Sequence, residues 1–243
     1  MKQKGELFAP FFLEGQMKVK LISYSQSPIE DFDYQSSLDL VAYCARVSNP
    51  ENQNNRATSE KLVKYLMKHK HWSPLEMVSA CLEIETTRDI ARQILRHRSF
   101  SFQEFSQRYA DPTQDLAFVN REARLQDPKN RQNSIELDLE DYGKGGNKTQ
   151  HERLAEEWDW QQRQVIEAAT RAYQWAINNG IAKEQARAVL PEGNTLSRMY
   201  VNGTLRSWIH YIELRSENGT QKEHIQVAQA VAKVIADIFP LTL

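Results

Sequence analysis

Residues 77–86 constrain the fold most strongly, because apolar and polar side chains alternate along this run. The apolar positions are Val78, Ala80, Leu82 and Ile84, and the polar positions are Ser79, Cys81, Glu83 and Glu85. Alternation with a period of two is typical of a strand that buries one face and leaves the other near solvent. The run therefore predicts a sheet with one face covered by other elements.

A helix is predicted to follow this strand directly. Thr86 can cap its first turn, with Asp89 in the position of a capping box. The apolar stripe of this helix consists of Ile90, Ala91, Ile94 and Leu95. At about 100° per residue, its opposite face is polar. That polar face carries Asp89, Arg92, Gln93, Arg96 and His97.

Helices outnumber strands in the rest of the chain. Besides a strand-like run at residues 18–24, the patterns predict helices over residues 37–47, 59–69, 151–179, 183–190, 205–214 and 221–239. The strands are not interleaved with helices as βαβ units, so we expect an α+β protein with a small, mainly antiparallel sheet. Residues 17–243 are predicted to form a single domain, preceded by an N-terminal extension over residues 1–16.

The sequence makes further predictions about a helix cap, a loop region and the buried face of the longest helix. Ser59 is expected to cap the helix that it begins. Residues 111–150 are expected to be the least structured region, and glycine-rich residues 143–149 to be a solvated loop, because their spacing does not fit a phosphate loop. The buried stripe of the longest helix is predicted to be Leu154, Trp158, Val165, Ala169, Ala172 and Ala176.

The charge balance argues against some classes of function. Lys and Arg number 31 against 32 Asp and Glu, which gives a formal net charge of −1. This balance is unlike that of a generic nucleic-acid coat or a polybasic membrane binder. No apolar run approaches the roughly 20 residues that span a bilayer, and residues 1–16 do not form a secretory signal. We therefore expect a cytoplasmic protein without nucleic-acid or membrane partners.

Cysteine and histidine do not indicate a disulfide framework or a metal site. Cys44 and Cys81 are not part of a C-x-x-C motif, and we expect both to be small buried residues. His69 and His71 have a spacing that could suit a metal, but no cluster supplies a third ligand. No metal is therefore expected.

Arginine replaces lysine in two long stretches of the sequence. Residues 71–128 hold seven arginines and no lysine, and residues 184–221 again contain arginine but no lysine. Arginine offers a planar, bidentate grip on phosphate or carboxylate that lysine does not. The second stretch contains Arg187, Arg198, Arg206 and Arg215. Surface charge or ion pairing would explain any one of these residues, but the whole set indicates an anionic ligand.

Residues 96–109 form the densest of these segments. They combine Arg96, His97 and Arg98 with a single carboxylate, Glu104, and with several serine and aromatic side chains. Cations, hydroxyls and aromatic faces together could bind a nucleotide. The aromatic residues here could equally well pack in the core or stack on a ligand.

This segment resembles the signature of the flavin-dependent thymidylate synthases, which is Arg96-His97-Arg98 followed after seven residues by Ser106. Other blocks resemble the family in the same order. They are Ala45-Arg-Val-Ser48, His71-Trp-Ser-Pro-Leu-Glu76, Ala186-Arg-Ala-Val-Leu-Pro191 and the pair Arg206 and Arg215. Together they extend over about residues 18–239, and a chance match to so many ordered blocks is not expected.

The resemblance implies the family's fold and a specific reaction. Family members methylate dUMP to dTMP with carbon from methylenetetrahydrofolate, and FAD that NADPH has reduced supplies the hydride. No cysteine nucleophile takes part, which agrees with the absence of a base or cationic motif beside Cys44 and Cys81. Family members are homotetramers whose active sites are shared between subunits, and the same assembly is implied for this chain.

The resemblance also implies roles for individual residues. The residues implied to contact FAD are Ser73, Arg96, His97, Arg98, Glu104, Thr204, Leu205, Arg206 and His210, with Ser48 a weaker candidate. The residues implied to surround dUMP are Gln93, Arg96, Glu104, Phe105, Ser106, Gln107, Arg108, Arg187 and Arg215. Arg215 is the implied catalytic residue, because a cation there would stabilise negative charge on the pyrimidine ring and make C5 a better nucleophile.

Two alternatives follow from the same residues. The arginine clusters and aromatic side chains could serve a nucleotide- or RNA-binding protein without catalysis, although the net charge of −1 argues against this. Gln107 stands where the family commonly has glycine, and its side chain could crowd the nucleotide. A methyltransferase that acts on another pyrimidine is therefore the second alternative.

Overall fold

The computed structural model describes residues 11–13, 17–27, 36–139 and 149–240. Within these residues, strands alternate with helices of very different lengths. The strands are β1 Phe11–Leu13, β2 Met17–Tyr24, β3 Ser79–Thr87, β4 Ser101–Glu104, β5 Arg124–Gln126, β6 Ser134–Glu136 and β7 Leu196–Thr204. The α-helices are α1 Ser37–Ala45, α2 Ser59–Lys68, α3 Arg88–Ile94, α4 Pro112–Asp115, α5 Gln150–Asn178, α6 Lys183–Ala186, α7 Leu205–Ser216 and α8 Lys222–Ile238. Short 3-10 turns lie at Pro50–Asn52, Arg56–Thr58, Ser73–Glu76 and Arg187–Val189.

The main sheet is antiparallel and has the strand order β1-β2-β3-β7-β4. β3 is the central strand, and it pairs with β7 over its whole length, from Ser79 opposite Thr204 to Thr87 opposite Leu196. The predicted alternation along β3 is confirmed, because its apolar face is buried and its other face is partly exposed. The α+β class with a small antiparallel sheet is therefore confirmed.

Helices α7 and α8 cover the buried face of this sheet. Trp208 of α7 is almost fully buried, and its indole Nε1 donates a hydrogen bond to the carbonyl oxygen of Ala80 in β3 over 3.1 Å. Val227 and Val231 of α8 belong to the same hydrophobic core. Burying large apolar side chains of this kind contributes about 1.5–3 kcal/mol each, so the α7–α8 pair is fixed firmly against the sheet.

Two predicted helix caps lie one residue away from their predicted places. α3 begins after Thr87, not Thr86, and the Thr87 hydroxyl donates to Asp89 Oδ1 over 2.6 Å, so no capping box forms. α2 is preceded by Thr58, and Ser59 is its first helical residue, with its hydroxyl buried. Adjacent Thr and Ser residues have similar capping preferences, so the sequence alone does not separate them.

The predicted buried stripe of α5 is wrong for most of its members. Only Ala169 and Ala176 are buried, and Tyr173 is buried beside them. Leu154, Trp158 and Val165 are exposed by 43%, 43% and 52%, and Ala172 is exposed as well. The period of the pattern identified the helix correctly, but within residues 11–13, 17–27, 36–139 and 149–240 no element buries these side chains.

Residues 111–139 hold more structure than predicted. They contain α4 and the β5–β6 hairpin, in which Leu125 lies opposite Ile135. Residues 140–148 lie outside the described residues, and with them most of the glycine-rich segment 143–149. Most of the predicted extension 1–16 also lies outside them, but Phe11–Leu13 adds β1 to the edge of the sheet.

Candidate active site

Most side chains predicted to bind ligands come from α3, the segment after it, and α7, and Ser73 and Arg187 come from 3-10 turns. β3 passes directly into α3, so the polar face of α3 begins at the end of the central strand. α7 begins where β7 ends, and β7 is the partner of β3. Both helices that carry predicted site residues are thus attached to adjacent strands without an intervening loop.

Arg215 at the end of α7 meets His97, which with Arg96 lies in the turn after α3 and not on its polar face as predicted, because the helix ends at Ile94. The Nε–H of Arg215 donates to Nε2 of His97 over 2.9 Å, and 118 residues separate the two along the chain. Burial, followed by the charges of Arg215 and Arg96, lowers the pKa of His97 from 6.5 to about 4. His97 is therefore neutral at pH 7, and its proton lies on Nδ1 because Nε2 accepts the hydrogen bond.

Gln93 lies one turn before His97 and begins a series of polar contacts with α8. Its Nε2 donates to Oε1 of Gln221 over 2.8 Å, and Nε2 of Gln221 donates to Oε2 of Glu223 over 2.9 Å. Arg124 hydrogen-bonds the other carboxylate oxygen of Glu223, and Arg121 lies 3.1 Å from Oε2. Burial alone would raise the pKa of Glu223, but these contacts lower it to about 2.

The same amide of Gln93 also faces a buried histidine. Nδ1 of His224 lies 3.1 Å from Oε1 of Gln93, and Nε2 of His224 lies 3.1 Å from the hydroxyl of Tyr211. His224 is 0% exposed. Burial, with smaller contributions from the charges of Arg215 and His97, lowers the pKa of His224 to about 3. Burial likewise raises the pKa of Tyr211, so both groups are neutral near pH 7.

A second group joins two predicted nucleotide-binding arginines through Glu184. Arg108 Nε lies 3.4 Å from Oε2 of Glu184, and Arg187 Nε donates to the Glu184 carbonyl oxygen over 3.3 Å. Arg108 is exposed and Arg187 partly exposed. The segment after α3 and the 3-10 turn after α6 therefore present two guanidinium groups on one surface.

A third group lies at the start of α7. Arg206 hydrogen-bonds Glu76, which closes the 3-10 turn that begins at exposed Ser73. The ring of His210 packs edge-on against that of Trp72, with 4.5 Å between centroids. At the helix start itself, the Thr204 hydroxyl accepts from Ser207 N over 3.3 Å and caps α7.

Leu205 and Glu104, which are both implied to contact FAD, already make contacts within the chain. The side chain of Leu205 is 0% exposed, and its backbone N–H donates to the carbonyl oxygen of Val78 over 2.9 Å. Glu104 accepts a hydrogen bond from the Ser197 hydroxyl over 2.9 Å and lies 3.5 Å from Arg88 NH1 and 3.6 Å from Arg92 NH1. The carboxylate of Glu104 is thus already compensated by two cations.

Residues 105–107 run antiparallel to the start of β7. Phe105 N donates to the carbonyl oxygen of Arg198 over 2.8 Å, and the Ser106 hydroxyl accepts from Arg108 N over 3.4 Å. Gln107 is 3% exposed, and its Nε2 has no hydrogen-bond partner among the described residues. A buried amide nitrogen without a partner costs about 1–3 kcal/mol, which is a reason to expect a ligand contact there.

The arginines, Ser73 and His210 among the residues implied to contact FAD fit the chemistry of that group, whereas Leu205 is fully buried and Glu104 is paired within the chain. A diphosphate requires cations and hydrogen-bond donors, and Arg96 and Arg98 are exposed, while Arg206 lies in the first turn of the twelve-residue helix α7. Ser73 adds an exposed hydroxyl, and His210 adds a flat ring one turn after Arg206 in α7. The donor set of this chain is therefore suitable for a flavin dinucleotide.

The two cysteines are not in an environment that activates a thiol. Cys44 and Cys81 are unbridged, and both are half-buried and not buried as predicted. Desolvation raises the pKa of each thiol, which disfavours the nucleophilic thiolate. Ser48, the weaker flavin candidate, is exposed in the turn after α1.

Within the described ranges, no group of three potential metal ligands is close enough to hold an ion, and no helix there is long and apolar enough to cross a membrane.

Sequence reasoning did not single out Tyr211, His224 or Gln221. His224 could have been found from the pattern of α8, because it stands three and seven residues before the apolar positions Val227 and Val231. A histidine on an otherwise apolar helix face is expected to be buried and hydrogen-bonded. Tyr211 has no comparable signal, since tyrosine is common in protein cores.

Comparison with known proteins identifies the family. The family model for thymidylate synthase complementing protein matches residues 32–241, and the chain belongs to that family. A probable flavin-dependent thymidylate synthase of Paramecium bursaria Chlorella virus 1 is 45% identical over 224 residues, which are 92% of this chain and 96% of that protein. A flavin-dependent thymidylate synthase of Synechocystis sp. is 45% identical over 225 residues, with coverage of 92% and 96%.

A solved structure supports the same fold. The crystal structure of the UMP/dUMP methylase PolB from Streptomyces cacaoi, bound with 5-Br dUMP, matches with a TM-score of 0.69 and 26% sequence identity. The match covers 92% of this chain and 91% of that chain. The resemblance stated from the motifs is therefore confirmed at the level of family and fold.

Proposed function

We propose that this chain is an FAD-dependent thymidylate synthase that methylates dUMP to dTMP. Methylenetetrahydrofolate would supply the carbon, and NADPH would reduce the flavin. The contact between Arg215 and His97 carries the proposal, because two motifs 118 residues apart meet through a 2.9 Å hydrogen bond. The family membership and the 45% identity to two flavin-dependent thymidylate synthases support the same reaction.

Arg215 would act on the uracil ring through its terminal nitrogens. Its Nε is occupied by His97, which fixes the plane of the guanidinium group. Two adjacent N–H donors can then hydrogen-bond a ring oxygen and stabilise the negative charge that develops when C5 attacks the incoming carbon. Since His97 is neutral at pH 7, it leaves the positive charge of Arg215 uncompensated.

The remaining residues would bind and orient the two ligands. Arg108 and Arg187, held together by Glu184, are suited to the phosphate of dUMP. Arg96, Arg98 and Arg206 would hold FAD, which when reduced supplies the hydride that completes the methyl group. Gln93 would contact the uracil ring, because it lies in the last turn of α3, four residues before His97.

We further propose a homotetramer with shared active sites. The support in this chain is the exposed apolar surface of α5, defined by Leu154, Trp158, Trp160, Val165 and Trp175. Soluble proteins rarely leave several large apolar side chains of one helix in water. We propose that a second copy of the same chain covers this surface. The arginine groups of that copy would then lie near those of the first copy, and the two copies would share active sites.

UMP is the second candidate substrate, because the PolB structure is described as that of a UMP/dUMP methylase. The two nucleotides differ only at the 2′ position, so the arginine groups described above would not distinguish them. Gln107 stands where the family commonly has glycine, and it is a residue whose amide could make that distinction. Titration with both nucleotides separates the candidates.

The visible spectrum of the purified protein tests the proposal. A flavin absorption band that shifts on titration with dUMP, but not with UMP at the same concentration, is the expected result. Methyl transfer is then followed as dTMP formed from dUMP, methylenetetrahydrofolate and NADPH. A protein that stays colourless after incubation with FAD and desalting overturns the proposal and leaves nucleotide binding without catalysis.

A further inference from the structure

His224 occupies an unusual place for a polar side chain. It is 0% exposed and lies on the face of α8 that carries the core residues Val227 and Val231. Both ring nitrogens are within hydrogen-bond distance of a partner, Gln93 on one side and Tyr211 on the other. A buried imidazole with two partners is held in one orientation and one tautomer.

The direction of each hydrogen bond in this series follows from the carboxylate at its outer end. Glu223 is held ionised by Arg121 and Arg124, so its oxygens only accept. Gln221 must therefore turn its Nε2 to Glu223 and its Oε1 to Gln93.

The same reasoning continues inward. Oε1 of Gln221 accepts, so Gln93 turns its Nε2 outward and its Oε1 towards His224. The His224 Nδ1 then carries the proton, and its Nε2 accepts from the hydroxyl of Tyr211. Every amide and ring in the series thus has one orientation, which is fixed from the Glu223 end, and the Tyr211 hydroxyl turns to donate to the ring nitrogen that His224 leaves unprotonated.

This arrangement determines what Gln93 can offer to a ligand. One hydrogen on Nε2 is engaged by Gln221 and one lone pair on Oε1 by His224, so one hydrogen and one lone pair remain. A uracil ring carries both an N–H donor and carbonyl acceptors, so a flipped amide would oppose like groups. A flipped Gln93 amide would leave polar groups of the uracil ring without hydrogen-bond partners in a buried site. Binding with the amide in that orientation would therefore be much weaker.

We propose that His224 is a positioning residue that, together with Gln221, holds the Gln93 amide in the orientation in which it meets the pyrimidine ring of the substrate. The role rests on the proposed function, since it takes Gln93 to be a nucleotide contact. His224 itself is buried behind Gln93 and would touch neither ligand. Tyr211 holds the far side of the imidazole, and its ring also packs edge-on against His97 with 5.1 Å between centroids.

The test compares His224→Leu, which removes both hydrogen bonds, with His224→Asn, which retains an amide N–H for Gln93. The dissociation constant of dUMP is measured from the flavin spectrum of each holoenzyme. We expect an increase of about tenfold for His224→Leu and recovery to within about threefold of wild type for His224→Asn. The FAD content should be the same in all three proteins.

Val227→Ala is the matched control, because it removes buried volume from the same face of α8 without touching the series. It should lower the free energy of unfolding and leave dUMP affinity unchanged. Tyr211→Phe keeps the ring and loses only the hydroxyl, so it should raise the dissociation constant roughly threefold. If His224→Leu fails to fold, Tyr211→Phe and His224→Asn decide the question.

Two results overturn the role of His224. One is wild-type affinity for dUMP in His224→Leu or, where that variant does not fold, in Tyr211→Phe. The other is an equal loss of affinity in Val227→Ala, which would mean that any loosening of α8 has this effect. Absence of a dUMP-dependent change in the wild-type flavin spectrum is a different outcome, because it overturns the proposed function itself.

Discussion

Arg215 Nε and His97 Nε2 lie 2.9 Å apart, and the hydrogen bond between them fixes both side chains at once. The imidazole can accept only while it is neutral, and Arg215 itself helps to keep it neutral by lowering its pKa. The guanidinium group in return loses the freedom to rotate about its long side chain. A flexible surface arginine thereby becomes an oriented donor, which is what electrostatic stabilisation of a transition state requires.

Replacing Arg215 should therefore affect turnover more than flavin binding. In Arg215→Ala we expect kcat to fall roughly 10- to 150-fold, which corresponds to the loss of a charge-assisted contact of about 1.5–3 kcal/mol. Arg215→Lys keeps the charge but not the geometry, and it should recover only a small part of the loss. Steady-state formation of dTMP measures the effect, and an Arg215→Ala enzyme with unchanged kcat would contradict the assigned role.

Replacing Arg187 should separate nucleotide binding from flavin binding. Arg187 and Arg108 meet at Glu184, away from the flavin candidates at the start of α7. Arg187→Ala is expected to weaken dUMP by about tenfold or more and to leave FAD content unchanged. Lys183→Ala, a nearby cation whose Nζ donates to the Tyr109 carbonyl oxygen, is the control. Equal weakening of both ligands would show that Arg187 is wrongly assigned.

The low histidine pKa values predict a stability that falls with acid. His224 and His97 have folded pKa values of about 3 and about 4, against 6.5 for the unfolded chain. Between these values the unfolded state binds more protons, so the free energy of unfolding is highest above pH 6.5 and declines as the pH falls. For fully buried His224 the slope approaches about 1.4 kcal/mol per pH unit.

Urea unfolding at pH 7, 6 and 5 measures this slope. The low pKa of Glu223 affects stability mainly below its ordinary value of 4.5, so the histidines dominate the change between pH 7 and pH 6. His224→Leu removes one of the two titrating groups, and its slope should be shallower than that of the wild type, whatever its absolute stability. Parallel slopes in the two proteins would rule out His224 as a source of the pH dependence.

Gly203 in β7 should not tolerate a side chain. A Cβ at this position would lie 2.3 Å from Cδ1 of Phe100. Phe100 is buried and packs on Trp208, with 4.5 Å between centroids, so its ring has little room to move. Gly203→Ala is expected to destabilise the protein by about 1–3 kcal/mol through overpacking. Gly193→Ala, where no atom lies within 4 Å of the added carbon, should change the unfolding free energy little by comparison.

The exposed surface of α5 gives a prediction about assembly. Trp175 is 63% exposed and Trp160 is 47% exposed. Trp175→Glu would place a charge in the proposed interface, so the mass measured by sedimentation should fall from that of a tetramer towards that of smaller species. Gln174→Glu adds the same charge at an exposed position of α5 that points about 100° away from Trp175, and it serves as a comparison. A wild-type chain that sediments as a monomer would refute the tetramer directly.

The elements with strong local signals were predictable from the sequence, and those that depend on partners were not. β3 was predicted because alternation is a property of the strand itself. β7 was missed, although it is the partner of β3, because its buried face includes Ser197 and Gly203 beside Met199 and Val201. Its apolar alternation is therefore weak, and its pairing with β3 is a long-range contact.

The same distinction applies to the candidate site, where the sequence named residues but not the contacts between them. The motif residues were named because a family resemblance fixes their order, and the structure adds which of them meet. Gln93, His97 and Arg215 come together around α3, whereas the grouping of Arg108 with Arg187 depends on Glu184, which carries no motif. The exposure of Trp158 was not predictable, because amphipathic periodicity does not tell whether the same chain or another copy covers a helix face.

Because β3 passes directly into α3, local unfolding at the candidate site is linked to unfolding of the sheet. Because no loop separates β3 from α3, Gln93 is attached directly to the central strand of the sheet, and His97 follows in the turn after α3. The helix cannot unravel at its start without disturbing β3. The two should therefore behave as one cooperative unit in hydrogen exchange, with the amides of α3 protected nearly as long as those of the sheet. The ligand-binding face would thus belong to the slowest-opening part of the molecule.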